Sequence, residues 1–195
     1  MLIDVSHNNG QIDWTKVSKD VNKIEGVYIK ATQGVNYVDH LLIQNSMGAT
    51  AAKLKVGYYH FATLNDSNVA KDAKTEAQWF ITNVKKAETP TLPLVLDIET
   101  NDGKISKDNV LLWISTFFYE IAQAGFTDYM LYSYSYFLNA NLPKNHGLGK
   151  IPLWIAAYGA SYKIPDGWTK AKLWQYSNSG KINGIGTIVD LNKYV

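Results

Sequence analysis

Leu94-Val95-Leu96-Asp97-Ile98-Glu99 is a short apolar run that ends in two carboxylates. An apolar run of this length reads as a strand buried on both faces. Residues two apart in a strand share a face, with Cα atoms about 6.6 Å apart. Asp97 and Glu99 are therefore expected to enter one cleft. Two carboxylates in one partly desolvated site do not both ionise easily, so one pKa must rise. A carboxyl that keeps its proton near neutral pH can act as a general acid, which glycoside cleavage requires. The same tripeptide also serves as a helix cap followed by a solvated glutamate, so its weight depends on its surroundings.

Those surroundings are strand-rich. Strand-length apolar runs occur at 2–5, 26–31, 56–61, 94–98, 129–134, 153–157, 173–176 and 187–190, which makes eight candidates. Helical periodicity fills the early gaps. A short helix is expected over 13–21 with Asp13 as its cap, and another over 40–54. A third runs over 67–84 behind an Asp66-Ser67-Asn68 capping cluster, a fourth over 107–124 before Gly125, and a short fifth over 135–141. Later gaps are too short or too rich in Gly, Pro and Lys for crossover helices, so late strands are expected to pair antiparallel. The prediction is an α/β fold, a distorted TIM-like barrel of five β/α units followed by three strands with few or no helices. A full eight-unit barrel typically takes about 250 residues, more than the 195 present. No linker or repeat interrupts the chain, so residues 1–195 are expected to form a single catalytic domain.

In such a barrel, chemistry sits at the C-terminal ends of the strands. Asp4, Asp97, Glu99 and Asp190 all fall there, and closure brings the first and eighth strands, with Asp4 and Asp190, side by side. Four acids also suit an all-oxygen Mg²⁺ or Ca²⁺ site. No phosphate-gripping glycine loop accompanies them, and no metal or other cofactor is expected. His7 and His60 sit at strand ends, His40 and His146 in surface segments. Ser6 and His60 lack the strained-turn pattern of a nucleophilic serine, and His60 reads as a hydrogen-bonded wall residue. Tyr132 and Tyr134, Trp154 and Tyr158, and Trp174 and Tyr176 share parity in pairs; facing inward they stack sugar rings, and otherwise they fill the core.

Composition narrows the classes. Nineteen Lys+Arg against seventeen Asp+Glu leave a net charge of +2, too little for a duplex-binding stripe, so no nucleic-acid partner is expected. There is no cysteine, which removes disulfides, thiol nucleophiles and Cys-ligated zinc. No run of eighteen apolar residues exists, so no membrane insertion is expected. Met1-Leu2-Ile3-Asp4 lacks the pattern of a secretory leader, which implies another release route or a trimmed leader. Thirteen tyrosines and six tryptophans fit a cleft wall with one apolar and one wet side, although tyrosine-rich strands are also simply good strands.

In order and spacing these segments resemble a family-25 glycoside hydrolase, the bacterial, phage and fungal lysozymes that cut peptidoglycan. Asp4-Val5-Ser6-His7-Asn8-Asn9-Gly10 resembles the family's opening strand and loop. Tyr28-Ile29-Lys30-Ala31-Thr32 and Gly57-Tyr58-Tyr59-His60-Phe61 resemble its second and third strands, and Leu96-Asp97-Ile98-Glu99 its catalytic Asp-x-Glu. Leu131-Tyr132-Ser133-Tyr134, Leu153-Trp154-Ile155-Ala156-Ala157-Tyr158, Leu173-Trp174-Gln175-Tyr176-Ser177 and Val189-Asp190 resemble the remaining strands.

The resemblance implies N-acetylmuramidase activity on peptidoglycan glycan strands at the cell wall, with net retention by acetamido participation. It implies Glu99 as proton donor, Asp97 as the residue that orients the acetamido group, and Asp4 and Asp190 as supporting acids. Tyr58, His60, Tyr134, Trp154 and Gln175 would be substrate-binding. A monomer is expected. Two alternatives remain. A chitinase-like hydrolase asks for acids where this chain has Leu92 and Val95, and a non-catalytic glycan-binding barrel would normally have lost one of the acids.

Overall fold

A computed structural model describes residues 1–65 and 68–195. Nine strands form one sheet: β1 (Leu2–Val5), β2 (Gly26–Gln33), β3 (Tyr37–Val38), β4 (Lys55–Phe61), β5 (Leu94–Asp97), β6 (Tyr129–Tyr134), β7 (Leu153–Ala156), β8 (Leu173–Gly180) and β9 (Val189–Tyr194). Eight of them close a barrel in the order β1-β2-β4-β5-β6-β7-β8-β9 and back to β1, while β3 hangs on β2 as a short antiparallel hairpin. The barrel strands run parallel except β9, which is antiparallel to both β8 and β1. The eight strands legible in the sequence are these eight, and the late antiparallel strand is the last one.

Five helices follow the first five barrel strands: α1 (Trp14–Val17), α2 (Leu42–Ala51), α3 (Val69–Val84), α4 (Lys107–Gln123) and α5 (Ser135–Asn141). Among the described residues no α-helix follows β7 or β8. The Asp13, Asn68 and Ser106 side chains cap α1, α3 and α4, accepting from Lys16 N, Lys71 N and Asn109 N. Asp66 and Ser67 of the expected capping cluster lie outside the described residues. The helix expected over 13–21 stops at Val17, and Val21 is left exposed with nothing to pack against. In α2 the buried face carries Asn45 and Ser46, while the apolar Ile43 and Met47 point to solvent. His146, expected at the surface, is buried against Trp168.

Alternating residues on the strands feed two cores. One lies between barrel and helices. The other fills the barrel itself, with Leu2, Tyr28, Leu92, Val95, Met130, Trp154 and Leu173 among its members. Tyr28 fits because its neighbour on β4 is Gly57, where a Cβ would sit 2.5 Å from the Tyr28 ring. The interior is therefore a packed apolar plug, and the open space lies above it at the C-terminal ends of the parallel strands.

Candidate active site

Inward-facing positions near the strand ends line one pocket. β1 contributes Asp4, β2 Lys30, β4 Tyr59 and Phe61, β5 Val95 and Asp97, and the residues just beyond β5 include Glu99. Tyr132 and Tyr134 of β6, Trp154 of β7 with Tyr158 beyond it, Gln175 of β8 and Asp190 of β9 complete the ring, together with Ser6 and Asn8 of the first loop. All four predicted acids are thus in the same pocket.

Asp4 is held by two amides. Its Oδ2 accepts from Gln175 Nε2 at 3.1 Å and from Asn192 Nδ2 at 2.7 Å. The orientation of Asn192 is fixed from behind, because its Oδ1 accepts at 2.9 Å from Trp154 Nε1, a group that can only donate. Gln175 Oε1 likewise accepts from the Tyr132 and Tyr158 hydroxyls at 2.8 and 3.0 Å. A fixed polar scaffold therefore stands behind a carboxylate that is itself buried.

Desolvation governs the acids. Burial, then the like charge of Asp190, pushes the Asp4 carboxyl well above the usual range, and burial raises Asp190 as well. Burial, then the charge of Glu99, does the same to Asp97. Glu99 is raised by burial, with a hydrogen bond from Asp97 working the other way. Asp97 and Glu99 thus titrate as a pair that keeps a shared proton beyond the ordinary carboxylate range. Asp97 Oδ1 is buried and, among the described residues, has no hydrogen-bond partner.

Lys30 is the only cation among the described residues lining the pocket. Its Nζ donates to Gln33 Oε1 at 2.8 Å and lies 5.0 Å from the centre of the Phe61 ring. Burial lowers its pKa, while Asp97, Asp39 and Glu99 hold it up. The lysine in turn lowers Asp97 and Glu99.

The structure separates the expected substrate-binding residues. Tyr134 lines the pocket, its hydroxyl 3.0 Å from that of Tyr158. Trp154 and Gln175 also line it, but each is 2% exposed, so they form floor and brace rather than an open stacking face. Tyr58 and His60 are elsewhere. They have the opposite parity to Tyr59 and Phe61, so they point out of the barrel towards the helices. The Tyr58 hydroxyl lies 2.6 Å from Ser46 Oγ of α2 and donates to Glu88 O. His60 is fully buried between Thr32 Oγ1 and Glu76 Oε2, each 2.7 Å away, and stacks on Phe117. Trp174 also faces outward, against Tyr162.

Lys30, Tyr59, Phe61 and Asn192 escaped the sequence analysis. A lysine inside an apolar run was the available signal, because a buried charge needs a reason. The four acids do not form the compact oxygen cluster that a cation would need. Among the described residues the one group with ligand atoms mutually within 4.8 Å is His7, Asp39 and His40, away from them.

Comparison with known proteins adds to this geometry. The family model described as Glycosyl hydrolases family 25 matches residues 3–185. Lysozyme M1 of Streptomyces globisporus is 33% identical over 201 residues, covering 98% of this chain and 66% of that protein. The autolytic lysozyme of Clostridium acetobutylicum is 32% identical over 192 residues, covering 98% of this chain and 55% of that protein. The chain therefore spans between half and two thirds of these curated relatives. The crystal structure of the bacterial lysozyme from Streptomyces coelicolor matches with a TM-score of 0.88 at 32% identity, over 98% of this chain and 90% of that one.

Proposed function

Since the chain belongs to glycosyl hydrolase family 25, we propose that it is a lysozyme, an N-acetylmuramidase that hydrolyses bacterial peptidoglycan between N-acetylmuramic acid and N-acetylglucosamine. The observation that carries this is the pairing of a buried Asp97, whose Oδ1 has no hydrogen-bond partner among the described residues, with a half-buried Glu99.

In the proposed reaction the N–H of the substrate's 2-acetamido group donates to Asp97 Oδ1. That hydrogen bond favours the ionised form of Asp97 and leaves the shared proton on Glu99. Glu99 protonates the bridging oxygen as the C1–O bond breaks, and the acetamido carbonyl oxygen bonds to C1, giving a cyclic oxazolinium ion. Water then attacks C1 from the face the leaving group vacated. Glu99 takes the water's proton, the ring reopens, and the β configuration is retained. Such substrate assistance is one of the exceptions to the two-carboxylate nucleophile scheme. Asp4 and Asp190 support the developing positive charge at C1, and Tyr134 and Tyr158 border the sugar.

Residues 1–195 act in this scheme as one catalytic domain on glycan strands at the cell wall. No helix among the described residues is long and apolar enough to cross a membrane. The deciding experiment is digestion of purified peptidoglycan with mass analysis of the new reducing ends. Muramic-acid ends are expected. Glucosamine ends would mean a different bond, and no new ends at all would mean a glycan-binding barrel without turnover.

A further inference from the structure

We propose that His7, Asp39 and His40 form a binding site for a divalent transition-metal ion of the zinc type, at the barrel mouth but outside the acidic pocket. Two imidazoles and a carboxylate are the donor set that such borderline cations favour. The three residues come from two loops, His7 from the turn after β1 and Asp39-His40 from the segment between β3 and α2. One ligand atom from each lies within 4.8 Å of the other two. Around a tetrahedral zinc ion with bonds of about 2.0–2.1 Å, donor atoms stand about 3.3 Å apart. His7 Nδ1 and Asp39 Oδ2 are already 2.8 Å apart, so only small adjustments separate the present arrangement from a ligated one.

The carboxylate is fixed in advance. Asp39 is buried, its Oδ2 accepts from the His7 backbone N at 2.9 Å and its Oδ1 from Leu41 N at 2.9 Å. Backbone donors that hold a ligating carboxylate are a common outer-shell feature of metal sites. The Tyr37 hydroxyl lies 3.0 Å from His7 Nδ1, so a second oxygen-bearing side chain, beside Asp39, already faces the imidazole. His40 completes the set from the solvent side. It is exposed, its ring is 5.3 Å from that of His7, and no hydrogen bond commits its nitrogens among the described residues. An ion held by three protein ligands keeps a fourth position for water or an external ligand. None of the three ligands lines the acidic pocket, although Ser6 and Asn8 on either side of His7 do. An ion here would stiffen the first loop of the pocket without touching the reacting atoms.

The test is titration of zinc chloride into the full chain, followed by calorimetry and by NMR of the four histidine rings. One zinc per chain is expected at this site, with ring signals of His7 and His40 shifting. Those of His60 and His146, both buried elsewhere, should stay in place. His40→Ala, a change at an exposed position, should weaken binding by about tenfold or more. Zinc should also raise the Tm of the wild type and not that of His40→Ala. Absence of a one-to-one event, or identical affinity in His40→Ala, would overturn the site. Every readout is independent of whether the protein cuts glycan.

Discussion

Asp4 on β1 and Asp190 on β9 lie directly opposite each other across an antiparallel pair. Such in-register partners point to the same face of a sheet, so two like charges share the barrel mouth with Asp97 and Glu99. Gathering four carboxyls in one pocket, two of them buried and two half-buried, is costly, and its consequences are measurable.

Replacing Glu99 by Gln removes the proposed proton donor and keeps the shape of the side chain. Turnover on peptidoglycan should fall by about 10²–10⁴-fold, with glycan binding and Tm preserved. A variant within a few-fold of wild type would remove Glu99 from the mechanism.

Asp97→Asn should stabilise the protein at neutral and alkaline pH while reducing its activity. The Asp97 pKa is raised in the folded state by burial and by Glu99. Stability contributed by this group is therefore fully present below its unfolded pKa, about 3.9, and is lost as pH rises through the folded value. Melting curves should show the variant above wild type at pH 8, with the gap closing towards pH 4. A constant gap at every pH would mean that Asp97 is not a strained carboxyl.

Lys30→Met takes the cation out of the acidic pocket. Since Lys30 lowers Asp97 and Glu99, its removal should raise both and move the pH–rate profile to higher pH. A profile that keeps its position but loses height would instead assign Lys30 to holding the substrate.

His60→Ala separates wall residue from structural residue. His60 Nε2 pairs with Glu76 Oε2, which also accepts from Thr63 N, all under the helical shell. Removing one partner of a buried pair costs about 3–5 kcal/mol, readable by urea unfolding. The kcat of the folded fraction should stay close to wild type, and a large loss in kcat or KM without loss of stability would return His60 to the pocket.

The eight barrel strands, the helix order and the meeting of four distant acids could all be read from residue patterns, whereas the two-residue β3 could not. Apolar runs locate strands, and barrel closure does the rest. The two-residue spacing of Asp97 and Glu99 needed no further knowledge to place both in one cleft. Parity was the weak point on β4. Val56, Gly57, Tyr58 and His60 are buried and Tyr59 and Phe61 half-buried, so no alternation of polar and apolar residues distinguishes Tyr58 from Tyr59, and the sequence alone points to the outward-facing pair. Ser46 and Asn45 on the buried face of α2 hid for the same kind of reason. Ser46 is buried because it bonds the Tyr58 hydroxyl, a partner that helical periodicity does not reveal.

The last strand closes the ring against both β1 and β8, and it alone brings Asp190 and Asn192 to the cleft. During synthesis, Asp4, Asp97 and Glu99 are made long before the strand that carries Asp190. The seam between head and tail can form only after β9 has left the ribosome. A fragment that stops before residue 189 would lack one of the pocket's four acids and the amide that donates to Asp4.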